Sequence, residues 1–71
     1  MKWESYDTRP VRDSAAADAR TLQTDQLERA IRSARHGRER AERRGDQTER
    51  ATYSAILAGL TGEARRRCAR L

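Results

Sequence analysis

One dipeptide, Gly45-Asp46, constrains the fold of this chain more than any other feature. A glycine after a last helical turn adopts the left-handed conformation that ends a helix, and Arg43 and Arg44 stand where cations favour the negative end of its dipole. Asp46, with Glu49 three residues later, has the spacing of a capping box that starts the next helix. One helix stops and another begins within two residues, so the two are antiparallel neighbours.

The flanking segments extend this hairpin. Ala15 to Arg20 is strongly helix-forming, and Asp13 or Ser14 is placed to cap a short helix over 14–22. Asp25 and Glu28 have the spacing of a further capping box, which predicts a helix over 25–44. On its wheel Leu27, Ala30, Ile31, Ala34 and Ala41 share one narrow seam, and the stretch from Arg35 to Arg44 is almost wholly charged. There Arg35 and Glu39, Arg38 and Glu42, and Glu39 and Arg43 are four apart, which suits local ion pairs, whereas Gly37 weakens the helix.

After the turn, Tyr53, Ile56, Leu57, Leu60, Ala64, Cys68 and Leu71 follow one face of a straight helix. Gly59 and Gly62 leave two readings, an unbroken helix or a break near Leu60-Thr61-Gly62 with Thr61 capping a last short helix. With the break, the elements are 46–60 and 62–70. Residues 1–13 lack either period and read as an irregular arm. Its Trp3 and Tyr6 fold back on the helices, dock onto a partner or are incidental to an unstructured terminus. The fold class expected is all-α: an antiparallel helical hairpin with a short N-terminal helix, completed by oligomerisation or a partner.

That need for a partner follows from size and composition. A chain of 71 residues buries only about 60% of its unfolded surface. Hydrophobic residues are 35% of it, aromatic residues 4%, and much of the hydrophobic share is alanine, so the core is thin. A second copy in a homodimer, or another protein, supplies the missing surface. The contact residues expected are Leu27, Ile31, Tyr53, Ile56, Leu57 and Leu60, with Trp3 and Tyr6 as anchors.

Enzymatic chemistry finds no support. His36 and Cys68 each stand alone in their type, so neither a nucleophile with its base nor a zinc ligand set can be assembled. The four glycines are scattered and form no phosphate loop. No cofactor or metal is expected. No apolar run approaches the ~20 residues of a membrane span, and a single cysteine fits a reducing compartment, so a cytoplasmic protein is expected. Arginine and alanine have GC-rich codons, which points to a bacterial or phage origin. An amphipathic membrane-surface helix from Tyr53 to Leu71 is a weaker reading, because its stripe is narrow and carries neither Trp nor Phe.

The net charge of +5 supports a second function class, an accessory protein that binds DNA or RNA. Arg65, Arg66, Arg67 and Arg70, helped by Arg43 and Arg44, are the candidate phosphate contacts. Acidic residues interleave the cluster from Arg35 to Arg50, and no helix-turn-helix, zinc-finger or RNA-binding sheet signature is visible. The pieces Asp25 to Ile31, Tyr53-Ser54-Ala55 and Leu57 to Thr61 resemble segments of the Hha-type helical modulators of bacterial nucleoid proteins. The resemblance requires gaps on both sides of the second piece, excludes the N-terminal third, and assigns no functional residue.

Overall fold

The structure, a computed structural model, describes residues 7–69. It comprises α1 (Arg9–Arg20), α2 (Thr24–Arg44) and α3 (Gln47–Ala69), with no strand among the described residues. α3 is the central element. α1 and α2 pack against it to a similar extent and make little contact with each other. This is a three-helix packing, not a hairpin with a short helix appended. α1 runs parallel to α3, since Gly59 faces the backbone of Arg12 to Ala16 while Arg67, two turns on, reaches Ala19 and Leu22. α2 runs antiparallel to α3, with Gly37 against Tyr53 and Glu42 bonded to Arg50.

The expected boundaries shift where local chemistry differs from the simplest reading. α1 begins at Arg9, so residues 9–13 of the expected arm are helix. Pro10 occupies its first turn, where a missing N–H leaves no intrahelical bond unmade. Asp7 Oδ1 accepts the Arg9 backbone N–H at 3.0 Å and so does the work assigned to Asp13 or Ser14. Trp3 and Tyr6 lie outside the described residues. α2 starts at Thr24, one residue before the expected box. Its entry is closed by Gln26, whose Oε1 accepts the Gln23 N–H at 2.9 Å, instead of by Asp25 and Glu28.

The turn has the geometry its sequence demands. Gly45 is left-handed at φ 74°, and the amides of Gly45 and Asp46 donate back to Glu42 and Ala41 at 3.1 and 2.9 Å. Asp46 Oδ1 accepts the Glu49 N–H at 3.0 Å. The Glu49 carboxylate pairs with Arg44 across the turn, so half of the expected box is used for an ion pair. The ion pairs of the charged stretch likewise cross to α3, through Glu42 and Arg50 at 2.9 Å, instead of running along α2.

α3 is unbroken from Gln47 to Ala69, which excludes the division at Thr61. Thr61 caps nothing: its hydroxyl donates back to the Leu57 carbonyl at 2.7 Å, a bond that satisfies it inside a helix. The apolar stripe ends at Ala64, because Cys68 is exposed. Leu71 and Arg70 lie outside the described residues.

Among the described residues the buried hydrophobic set is Ala15, Ala19, Leu27, Ala34, Ala41, Ala55, Leu57 and Leu60. Five of these eight are alanine, so the helices are held by close approach of small residues more than by interlocking large ones. Gly59 marks the tightest point: a Cβ there lies 2.5 Å from the Arg12 carbonyl oxygen and 2.9 Å from the Ala16 nitrogen. Gly37, the residue that weakens α2 in isolation, is buried beneath the Tyr53 ring, which a Cβ would overlap. Gly62 faces open space.

These surroundings predict opposite outcomes for two neighbouring substitutions. Gly59→Ala pushes α1 off α3 and destabilises by about 1–3 kcal/mol. Gly62→Ala, where the same methyl meets nothing, stabilises by about 0.5–1 kcal/mol through lower unfolded-state entropy. Thermal denaturation followed by circular dichroism separates them, and equal shifts of one sign exclude the close α1–α3 approach.

Candidate functional site

Because α1 and α2 diverge over α3, an open groove of about 690 Å³ runs between them. Its floor is Tyr53, Ile56 and Leu60 of α3, and its walls include Val11 and Leu22 from the α1 side and Ala30 from α2. The polar side chains along it are those of Ser14, Asp18, Ser33 and Tyr53. The groove is open and mainly apolar.

The residues expected at an interface separate into distinct environments. Leu27 is 2% exposed and Leu57 is buried, both inside the molecule's own core. Tyr53 and Ile56 are half-buried and line the groove with Leu60. Ile31 is half-buried against the core cluster but does not line the groove. Val11 and Leu22 join the surface only once α1 is seen to start at Arg9 and to lie along α3.

The candidate phosphate contacts also divide. Arg67 is committed to the fold: its Nη2 donates to the carbonyls of Ala19 and Leu22 at 3.0 and 2.6 Å, its Nη1 to Thr24 Oγ1 at 3.3 Å, and its Nε to Glu63 at 3.1 Å. One guanidinium thereby adds a second donor to the Ala19 carbonyl, which already accepts the Leu22 N–H, and ties the α1–α2 turn to α3. Arg66 stands 3.8 Å from Glu63, and Arg44 is paired with Glu49 and Asp46 at the turn. Arg65 and Arg43 are exposed and make no ion pair among the described residues.

Glu63 is the one buried charged residue among those described, and its side chain is 10% exposed. The hydrogen bond from Arg67 holds its carboxyl below the ordinary glutamate value. Burial opposes that shift, and the charges of Arg66, Arg67 and Arg20 add to it. At the start of α1, the side chain and backbone of Arg9 hold the exposed Asp7 carboxyl down to about 2. Among the described residues no three of His, Cys, Asp and Glu gather as metal ligands, and no helix is long and apolar enough to cross a membrane.

Two outcomes follow from the Arg67 cluster. Arg67→Gln removes the fork while leaving Glu63 partly desolvated, and lowers stability by roughly 2 kcal/mol, whereas Arg65→Gln next to it changes stability by less than about 0.5 kcal/mol. The second outcome concerns pH. Because the folded Glu63 value is depressed, its contribution is fully present above the ordinary glutamate range and is lost as pH falls through the folded value. The melting temperature of the parent chain therefore drops more steeply below pH ~4.5 than that of Glu63→Gln, and parallel curves exclude the assignment.

The chain matches no protein-family model, and no curated protein or solved structure matches it significantly. The partial likeness to Hha-type modulators has no family-level match behind it.

Proposed function

We propose that this chain is a small, non-enzymatic helical interaction protein that acts through the groove between α1 and α2, and that the groove is closed by a second copy of the chain. The observation that carries this reading is the mismatch between core and surface. Among the described residues the buried hydrophobic set holds three residues larger than alanine, while Val11, Leu22, Tyr53 and Ile56 stay partly exposed around one continuous apolar channel. An apolar channel left to water forfeits stability in a chain that has little to spare. A second copy is the one partner always present when the chain is made, and groove-to-groove packing is self-complementary under two-fold symmetry. Obligate association of this kind compensates for an undersized core.

The reading is checked by sedimentation equilibrium at micromolar concentration. The parent chain is expected to sediment as a dimer whose melting temperature rises with protein concentration. Ile56→Glu, which places a charge on the groove floor, is expected to be monomeric and less stable. A well-folded parent monomer at all concentrations removes the reading.

A further inference from the structure

The structure redistributes the charges that the linear sequence interleaves. Asp7, Asp13, Asp46, Glu42, Glu49 and Glu63 are engaged with Arg9, Arg12, Arg44, Arg50 and the pair Arg66 and Arg67. Most of those acids stand on α3, at the turn or near the start of α1. What they leave uncommitted is concentrated on α2. Arg29, Arg32, His36, Arg40 and Arg43 are all exposed, and none makes an ion pair or side-chain hydrogen bond among the described residues.

Their spacing puts them in one line. From Arg29 the offsets are 3, 7, 11 and 14 residues, which at about 100° per residue confine all five to an arc of about 80°. The core positions Leu27, Ala34 and Ala41 lie on the opposite side of the same helix. Asp25 ends the row one turn before Arg29, and Glu28 and Glu39 sit beside it on the flank shared with Arg35. Between Arg29 and Arg43 no carboxylate enters the arc. The row is about 21 Å long, and its two arginine pairs, Arg29 with Arg32 and Arg40 with Arg43, are centred about 16 Å apart along the axis.

We infer that this face of α2 is a binding site for the phosphate backbone of duplex DNA. Laid across a B-form major groove about 12 Å wide, a row about 21 Å long spans it. Two arginine pairs about 16 Å apart then reach the phosphate ridge on either side of it. His36, midway, adds an N–H donor over the groove. Contacts of this kind position a protein without reading sequence. The row shares no residue with the apolar groove, whose α2 wall of Ala30, Ser33 and Ala34 adjoins it.

The test is fluorescence anisotropy of the full chain with a labelled 20-bp duplex between 50 and 200 mM salt. Four phosphate contacts give a slope of log affinity on log salt of about −3 to −4, or a roughly 100-fold loss across that range. Arg32→Gln with Arg40→Gln, or Arg29→Gln with Arg43→Gln, is expected to flatten the slope by about 2 with helicity unchanged. Arg65→Gln with Arg66→Gln removes the same charge elsewhere and is expected to change affinity less than ~3-fold. The site is overturned by absent binding at 50 mM salt, or by equal losses in the α2 and α3 double variants. It is also overturned by tighter binding to duplex RNA, whose narrow major groove does not match the spacing of the arginine pairs, or to phosphatidylserine vesicles.

Discussion

Close approach between helix backbones, made possible by side chains of almost no bulk, carries this fold. α1 meets α3 through Ala15 and Ala16 against Gly59, with Ala19 buried one turn on, and α2 packs with Ala34, Gly37 and Ala41 buried. Such contacts bury little area per residue, so their worth lies in dispersion between closely packed atoms and depends on fit. The consequence runs through the whole molecule. A methyl at Gly59 has nowhere to go, and Tyr53 can lie flat on α2 only because residue 37 has no side chain.

Small-residue contact fixes distance but specifies register weakly, because one alanine resembles the next. Polar anchors supply that register. Arg67 is the main one: its planar fork meets two carbonyls at the end of α1, the Thr24 hydroxyl and the Glu63 carboxylate, a set that only one axial position of α3 satisfies. At the other end of the hairpin, the Gly45 turn and the pairs Arg44–Glu49 and Arg50–Glu42 do the same for α2. The free energy of each exposed pair is small. Their positions at both ends of α3 are what matter for alignment.

What the sequence discloses follows this division between local and tertiary causes. The stop at Gly45 is legible because every group that makes it lies within five residues. The role of α1 is not, since Ala15, Ala19 and Gly59 leave no mark on a hydrophobic wheel, and the start at Arg9 depends on Asp7 accepting one amide. Gly59 and Gly62 look alike in the sequence, as do Arg65 and Arg67. Only their azimuth against α1 makes one glycine indispensable and one arginine structural. The groove was legible in part, through Tyr53, Ile56 and Leu60, while Val11 and Leu22 required the path of α1. The arginine row on α2 was within reach of a helical wheel, but reading Arg35 to Arg44 as a linear run hides it behind Glu39 and Glu42.

The placement of acids decides whether an arginine-rich helical protein has a usable basic surface or merely a neutralised one. Eleven acidic residues face sixteen basic ones in this chain, a ratio that mixed evenly gives a weak field everywhere. Concentrating ion pairs on the turn, on α3 and at the start of α1 uses the acids where they also hold the fold together. Among the described residues, the arginines without an ion pair are then left mostly on α2, with Glu28 and Glu39 along the flank of its exposed row. Packing through alanine and glycine makes that separation feasible, because helices that approach through small residues need only a narrow seam. The remaining arc of a 21-residue helix is left open to carry charge, while the divergence of α1 from α2 leaves an apolar channel on an adjoining side. The same shortage of large apolar residues thus leaves both surfaces, one apolar and one basic.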